Sequence, residues 1–284
     1  ALRQAMPDGS RLYLVGDVDQ WPSVGPGTAL MDIIASNVVP CARLTSVFRQ
    51  ASESGIIAAA HAINRGETPR ANTTDFFIIE RDTPEKIQET VVELVTDRIP
   101  NRFDLNPFTE IQVLSPIHRG AAGVQQLNTS LQDALNARGK PVPRGGLRIG
   151  DKVIQLRNNY DLDVYNGDVG TITTWDEASS ELEVQFDDRR VIYEPTDLDN
   201  LALAYAITIH KSQGSEYPAV VIPLARQHFT MLQRNVLYTA VTRAKQLVVL
   251  VGDPTAIGMA VRNTQASRRY TRLAERLRRA ARPA

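Results

Sequence analysis

Short apolar runs recur along this chain with helix-patterned stretches between them, and that alternation constrains the fold more than any other feature. A buried run of four to eight residues followed by a segment of 3.6-residue periodicity is the pattern of a parallel α/β sheet. Leu12 to Val15, Cys41 to Leu44, Phe76 to Ile79, Ile111 to Leu114, a run ending at Thr208, Val220 to Leu224 and Leu247 to Val251 read as strands. Between them, Ala29 to Ala35, Ile56 to Asn64, Pro84 to Val95, Gly123 to Asn136 and Leu232 to Ala244 read as helices. Ser54 is placed to cap the second of these, and Gly66 to stop it. In the fourth, Val124, Leu127, Leu131 and Leu135 share one face.

The texture changes near Gly145. Val153 to Leu156, Val169 to Ile172, Leu182 to Phe186 and Val191 to Tyr193 are strand-like and separated by turn residues, the pattern of a small antiparallel barrel. After Leu201 the α/β pattern returns, so the barrel interrupts an α/β domain. The chain ends in an arginine-rich helical stretch from Arg268, with Tyr270, Leu273 and Leu277 on one face.

Composition narrows the class without choosing a partner. Thirty-two basic residues balance thirty-two acidic ones, so bulk charge announces no nucleic acid. The basic side is 27 Arg to 5 Lys, and arginine favours bidentate contact with phosphate and carboxylate. A single cysteine, Cys41, excludes an internal disulfide framework and a multi-cysteine zinc site; beside Val38 and Val39 it reads as a small buried hydrophobe. No run approaches the ~18 apolar residues of a membrane helix, and the start, without Met or a signal-peptide plan, reads as the interior of a longer cytoplasmic chain.

Several polar clusters fall where strands end, the usual ligand edge of an open α/β sheet. Gly16-Asp17-Val18-Asp19-Gln20 follows the first run, and a glutamine there is able to bond a terminal phosphate or its attacking water. Arg49 follows Cys41 to Leu44. Ser115, His118 and Arg119 follow the Ile111 strand; Thr208, His210, Lys211, Ser212 and Glu216 crowd into nine residues between two strands. Arg243 leaves a helix opposite its apolar stripe of Leu237, Ala240, Val241 and Ala244. An arginine so held is suited to a developing phosphoryl charge, an effect worth ~10³–10⁵ in rate.

Six segments in this order, GDVDQWPSVGPG, LTSVFRQA, VLSPIHRGAAGVQQLN, GDKVIQLRNNYDLDVYNGDVG, TIHKSQGSE and YTAVTRAK, resemble the later motifs of superfamily 1 helicases of the RecD/TraA type. The resemblance runs from Leu12 to about Gly252 and implies a RecA-like parallel sheet carrying an inserted SH3-like β-barrel. It implies the remnant of a first motor domain over residues 1–38, a second motor domain over 39–145 and 201–284, and the barrel over 146–200. By the same resemblance, Gln20 senses the terminal phosphate of ATP, Arg49 and Arg243 grip it, and Glu216 holds the ribose. Ser115, His118, Arg119, Thr208, His210 and Ser212 then lie along single-stranded DNA, and the barrel touches DNA from outside.

A P-loop, GxxxxGK[ST], is missing: Lys140 follows Gly139, but Ala134 stands where its first glycine belongs. Trp175-Asp176-Glu177-Ala178-Ser179 copies an acidic magnesium-binding motif yet sits inside the barrel pattern, and it reads as a hairpin turn. No metal ligand is assigned here; the P-loop and the ligands of Mg²⁺ are expected upstream, in the remaining half of the same chain. The resulting expectation is the C-terminal motor half of an ATP-dependent 5′→3′ DNA helicase, inactive as an ATPase by itself. Two alternatives stay open: a non-catalytic nucleic-acid-binding module, and the motor of a conjugative relaxase or of a recombination nuclease with further subunits.

Overall fold

In the computed structural model, residues 6–7, 9–20, 27–44, 54–71, 74–143, 145–264 and 271–281 are described. They fall into two units, one of residues 1–46 with 265–284 and one of residues 47–264. The larger unit is built on five parallel strands: β1 (Phe76–Glu80), β2 (Ile111–Ser115), β8 (Ala206–Thr208), β9 (Tyr217–Leu224) and β10 (Ala244–Gly252), in the spatial order β1-β10-β9-β2-β8. The three central strands are almost wholly buried, as continuous Val, Ile and Leu runs require when helices cover both faces.

In the larger unit, α2 (Gly55–Arg65), α6 (Arg234–Val241) and α7 (Pro254–Arg262) lie on one face, and α3 (Pro84–Glu93) with α5 (Val124–Leu135) on the other. Ser54 caps α2 through the Ile57 amide and Gly66 ends it at φ 83°, as the sequence predicts. The helix from Pro84 runs on through a π-turn, Leu94–Arg98, into α4 (Ile99–Phe103). Pro100 lacks the N–H that a regular turn needs at that point, and the wider turn absorbs the gap. Ile87, Val91, Leu94, Ile99, Leu127 and Leu131 close over Val113, Val221, Val249 and Val251 to form the core. Full burial of one such side chain contributes about 1.5–3 kcal/mol.

Between α5 and β8 the chain makes a five-stranded antiparallel sheet: β3 (Lys152–Gln155), β4 (Val169–Asp176), β5 (Glu181–Phe186), β6 (Arg189–Tyr193) and β7 (Leu201–Leu203), ordered β6-β5-β4-β3-β7. It has its own core of Val153, Ile172, Leu182, Val184, Phe186 and Tyr193. The expected boundary at 200 is three residues short, because Leu201–Leu203 pairs with β3. The acidic Trp175–Ser179 segment is the β4–β5 turn: the Asp176 carboxylate accepts from the Ala178 amide at 2.8 Å, and Glu177 pairs with Lys140.

The smaller unit departs from expectation. Leu12 to Val15 forms no strand and its side chains are exposed, Val15 at 97%. Cys41 to Leu44 likewise forms no strand, and Cys41 is exposed rather than buried. Both runs have β-forming composition, but a strand needs a neighbour for its N–H and C=O groups, and the described residues of this unit supply none. Here α1 (Ala29–Ser36) packs with α8 (Leu273–Ala280), where Arg278 donates to the Ala35 and Ser36 carbonyls at the end of α1. Residues 271–281 therefore group with the N-terminal segment and not with the parallel sheet, where the sequence places them.

Candidate functional site

The carboxyl edge of the larger unit's sheet gathers two of the predicted clusters. Strands β2 and β8 are parallel neighbours with Ser115 in register with Thr208, so the loops beyond both leave the same edge side by side. In the first loop, Ile117 accepts from the Val124 amide and His118 from the Gln125 amide, which anchors the turn to the start of α5. Gly120 sits at φ +94°, and a Cβ on Gly123 would stand 2.5 Å from the Arg119 carbonyl oxygen, so the turn needs glycine at both positions. The loop leaves His118 and Arg119 exposed.

Ser115 is a correction. It is fully buried, its hydroxyl 2.8 Å from the Ala122 carbonyl and 3.2 Å from that of Ile117, so it fixes the loop from within. Ser212 is a second correction of the same kind: fully buried, it donates to the Ile209 carbonyl at 2.7 Å. Beyond β8 the chain turns as a 3₁₀ helix, Ile209–Ser212, capped by Thr208, whose hydroxyl accepts from the Lys211 amide. His210 and Lys211 are half-buried there, and burial holds both below their ordinary pKa values. His210 therefore presents a neutral ring at pH 7.

Arg243 and Glu216 lie at the opposite, amino edge. Ala244 is in register with Tyr217, the Tyr217 amide donates to the Arg243 carbonyl at 2.8 Å, and Lys245 pairs with Glu216 at 3.4 Å. Contrary to the sequence reading, α6 ends at Val241 and Arg243 follows it, in the turn into β10. Arg243 is 7% exposed, and its guanidinium donates to the carbonyls of Thr239 and Ser215. The structure thus brings Arg243 and Glu216 within one residue of each other. One eight-residue segment, 209–216, joins them to the carboxyl edge: it begins at the end of β8 and ends at the start of β9.

Gln20, in the smaller unit, is part of a turn around Asp17: its amide nitrogen donates to the Asp17 carboxylate at 3.2 Å, and the Asp19 amide donates to the same carboxylate. Arg49 falls outside the described residues. The sequence reading passed over Lys245, the ion-pair partner of Glu216, and also Arg226 and Gln227 immediately after β9. Their position past a buried strand was the available signal for the latter pair.

Three family models match this chain: an AAA domain over residues 1–77, the SH3 domain of ATP-dependent RecD-like DNA helicases over 127–186, and a UvrD-like helicase C-terminal domain over 203–251. With the parallel sheet and the inserted antiparallel barrel, these define a RecA-like helicase domain with an SH3-like insertion. Among curated proteins, the ATP-dependent RecD2 DNA helicase of Deinococcus radiodurans is 36% identical over 98% of this chain and 37% of its own length. The RecBCD enzyme subunit RecD of Mycolicibacterium smegmatis is 30% identical over 98% of the chain and 51% of its length. A Pif1 helicase from Bacteroides, crystallised with ADP-AlF3 and ssDNA, aligns with a TM-score of 0.49 at 21% identity, covering 93% of this chain and 65% of that one. The chain belongs to the RecD-like superfamily 1 helicases, and it spans 37% and 51% of the lengths of the two curated relatives described. Among the described residues, no helix is long and apolar enough to cross a membrane.

Proposed function

We propose that this chain carries the second motor domain of an ATP-dependent 5′→3′ DNA helicase that moves along single-stranded DNA. The observation that carries the reading is the 209–216 segment, which links the Thr208 loop at one edge of the sheet directly to Ser215, Glu216 and Arg243 at the other. A change in what Arg243 holds is transmitted to the DNA-side loop through eight residues of backbone.

In this reading Arg243 grips the terminal phosphate of ATP and Glu216 holds the ribose, while Gln20 and Arg49 keep the phosphate-contacting roles that their motifs imply. His118, Arg119, Thr208 and His210 contact the DNA backbone without reading sequence. ATP bound with Mg²⁺ supplies the phosphoryl transfer. Among the described residues no group of three or more His, Cys, Asp or Glu is arranged to hold a metal ion, and the sequence has no GxxxxGK[ST] run. The reading therefore assigns the P-loop and the Mg²⁺ ligands to the rest of the protein. The mycobacterial relative is a subunit of the RecBCD enzyme, which makes a multi-subunit enzyme a natural setting.

The 284-residue chain by itself is expected to show no ATP turnover, with or without DNA, and to bind oligothymidylate with an affinity that falls as salt rises. DNA-stimulated hydrolysis by this chain alone would overturn the assignment of the P-loop elsewhere. Failure to bind oligothymidylate at low salt would remove the DNA-tracking role.

A further inference from the structure

The carboxyl edge holds a second feature that the known motifs leave unused. A cleft of 610 Å³ opens beyond the ends of β1, β10 and β9, lined among others by Arg81, Lys86, Arg226, Asp253 and Thr255. It forms where the topology divides. The chain leaving β1 turns to the face that carries α3, whereas the chain leaving adjacent β10 turns to the face that carries α7. Such a divergence between neighbouring parallel strands opens a crevice, the usual ligand position in this class of sheet.

The cations in the cleft are oriented but not saturated. Arg81 donates through Nε to the Thr90 hydroxyl and through Nη1 to the Glu80 carbonyl, both uncharged acceptors at 2.7 Å. No carboxylate lies within ion-pair distance of it among the described residues. Arg226 spans the Asp253 carboxylate at 2.6 Å and the Thr255 hydroxyl at 3.0 Å, yet its side chain is 66% exposed. Each guanidinium has five N–H donors, so each retains donors beyond these bonds. Lys86 pairs with Asp82 on the surface, a contact of little strength that a phosphate oxygen readily replaces.

Two further facts select the ligand. Glu80, Asp82 and Asp253 balance the three cations, so the cleft has no excess positive charge to neutralise a polyphosphate and suits the single charge of a phosphodiester, held by directed guanidinium donors. The cleft is also continuous with the DNA-side loops: Arg226 lines it, and its neighbour Gln227 packs against Gly120 of the loop after β2, where an added Cβ would lie 3.2 Å from the Gln227 amide. Two strand spacings of ~4.8 Å separate β2 from β10, on the order of 10 Å along the edge. That distance matches about three nucleotides at the ~3.4 Å stacked rise.

We propose that this cleft takes a backbone phosphate of the same single strand held by the β2 and β8 loops, with Arg226 and Arg81 as its principal ligands and Lys86 and Thr255 beside them. The proposal rests on the reading that the carboxyl edge binds DNA. It is tested by anisotropy with a graded series of oligothymidylates on the full-length protein, comparing wild type with R226Q, R81Q and K86Q over a range of salt. Long oligomers are expected to lose affinity to R226Q and R81Q, with the log–log salt slope falling by ~0.7 for each phosphate contact removed, while the shortest oligomers that bind keep wild-type affinity. K86Q, whose partner is solvent-exposed, gives the same sign with a smaller loss, and it keeps the test valid if R226Q disturbs Asp253. Wild-type slopes in all three variants on long oligomers would overturn the proposal while leaving the DNA reading intact; wild-type protein that binds no oligomer would overturn that reading itself. Saturation of the cleft by inorganic phosphate, followed by NMR, with no effect on long-oligomer affinity would assign it to a free anion and overturn the polymer source.

Discussion

The two edges of the parallel sheet are built on opposite principles. At the carboxyl edge, His118, Arg119 and Arg226 are exposed, and the serines beneath them are buried and bonded to their own loops. At the amino edge the Glu216–Lys245 pair stays exposed, but Arg243, Asp151 and Lys152 are enclosed. Arg243 is locked onto two carbonyls, and where the barrel joins, Asp151 is fully buried and accepts from Gln132, Asn136, the Arg148 amide and Tyr205. Lys152 beside it is buried with one carbonyl acceptor, that of Ile111 at 3.3 Å. One edge is arranged to be touched and the other to hold its shape, so substitutions at the first should change binding and at the second stability or rate.

The largest expected effect is at Arg243. In the full-length protein, Arg243→Ala should lower DNA-stimulated ATP hydrolysis by ~10³-fold or more while oligothymidylate affinity stays within a few-fold. Equal losses of hydrolysis and DNA affinity would mean that the amino edge is not functionally separate. Next is Asp151→Ala, which leaves several buried donors unpaired at about 1–3 kcal/mol each. Chemical denaturation should show a loss of about 4 kcal/mol, against a few tenths for Arg119→Ala.

Titration sharpens the contrast, because each edge has its own pH window. Burial pushes Lys152 down to about 8, below its ordinary value, so between there and the normal lysine range the unfolded chain binds more protons than the folded one. Stability should therefore rise with pH across that alkaline window, by about 3 kcal/mol in all, and Lys152→Met should flatten the rise. On the carboxyl side, burial pushes His228 down to about 4; its Nδ1 accepts from the Ala225 amide and its Nε2 has no hydrogen-bond partner among the described residues. Stability held at neutral pH should be lost as pH falls from ~6.5 toward 4, by about 3 kcal/mol, with His228→Phe blunting the loss in thermal melts. The smallest effect is at Arg119: Arg119→Ala should cost no more than a few tenths of a kcal/mol in a melting curve and reduce the salt slope of DNA binding by ~0.7.

Much of the sheet was legible because burial on both faces writes itself as unbroken Val, Ile and Leu runs, as in Val248 to Val251. The barrel strands were legible for the complementary reason, since β5 alternates buried and half-exposed residues. The apolar face of α5 was read correctly, but its second stripe was not. Asn128, Gln132 and Asn136, four residues apart, bind the barrel's exit at Leu203 and Ala206 and its entry at Asp151. Polar side chains at that spacing look like a solvated face until the partner strand is in place. Leu12 to Val15 shows the reverse failure: the composition of a strand, with no described neighbour to pair with.

By itself, then, the sequence determined the element types of the larger unit, the insertion of a barrel into an α/β domain and the family, because periodicity and ordered motifs are properties of the chain read locally. Tertiary structure alone decided which polar residues face solvent, that Ser115 and Ser212 work from inside their loops, and that Arg226 and Gln227 connect the cleft to the Gly120 turn. Those outcomes depend on what packs against a side chain from far along the chain, and no local pattern carries that information.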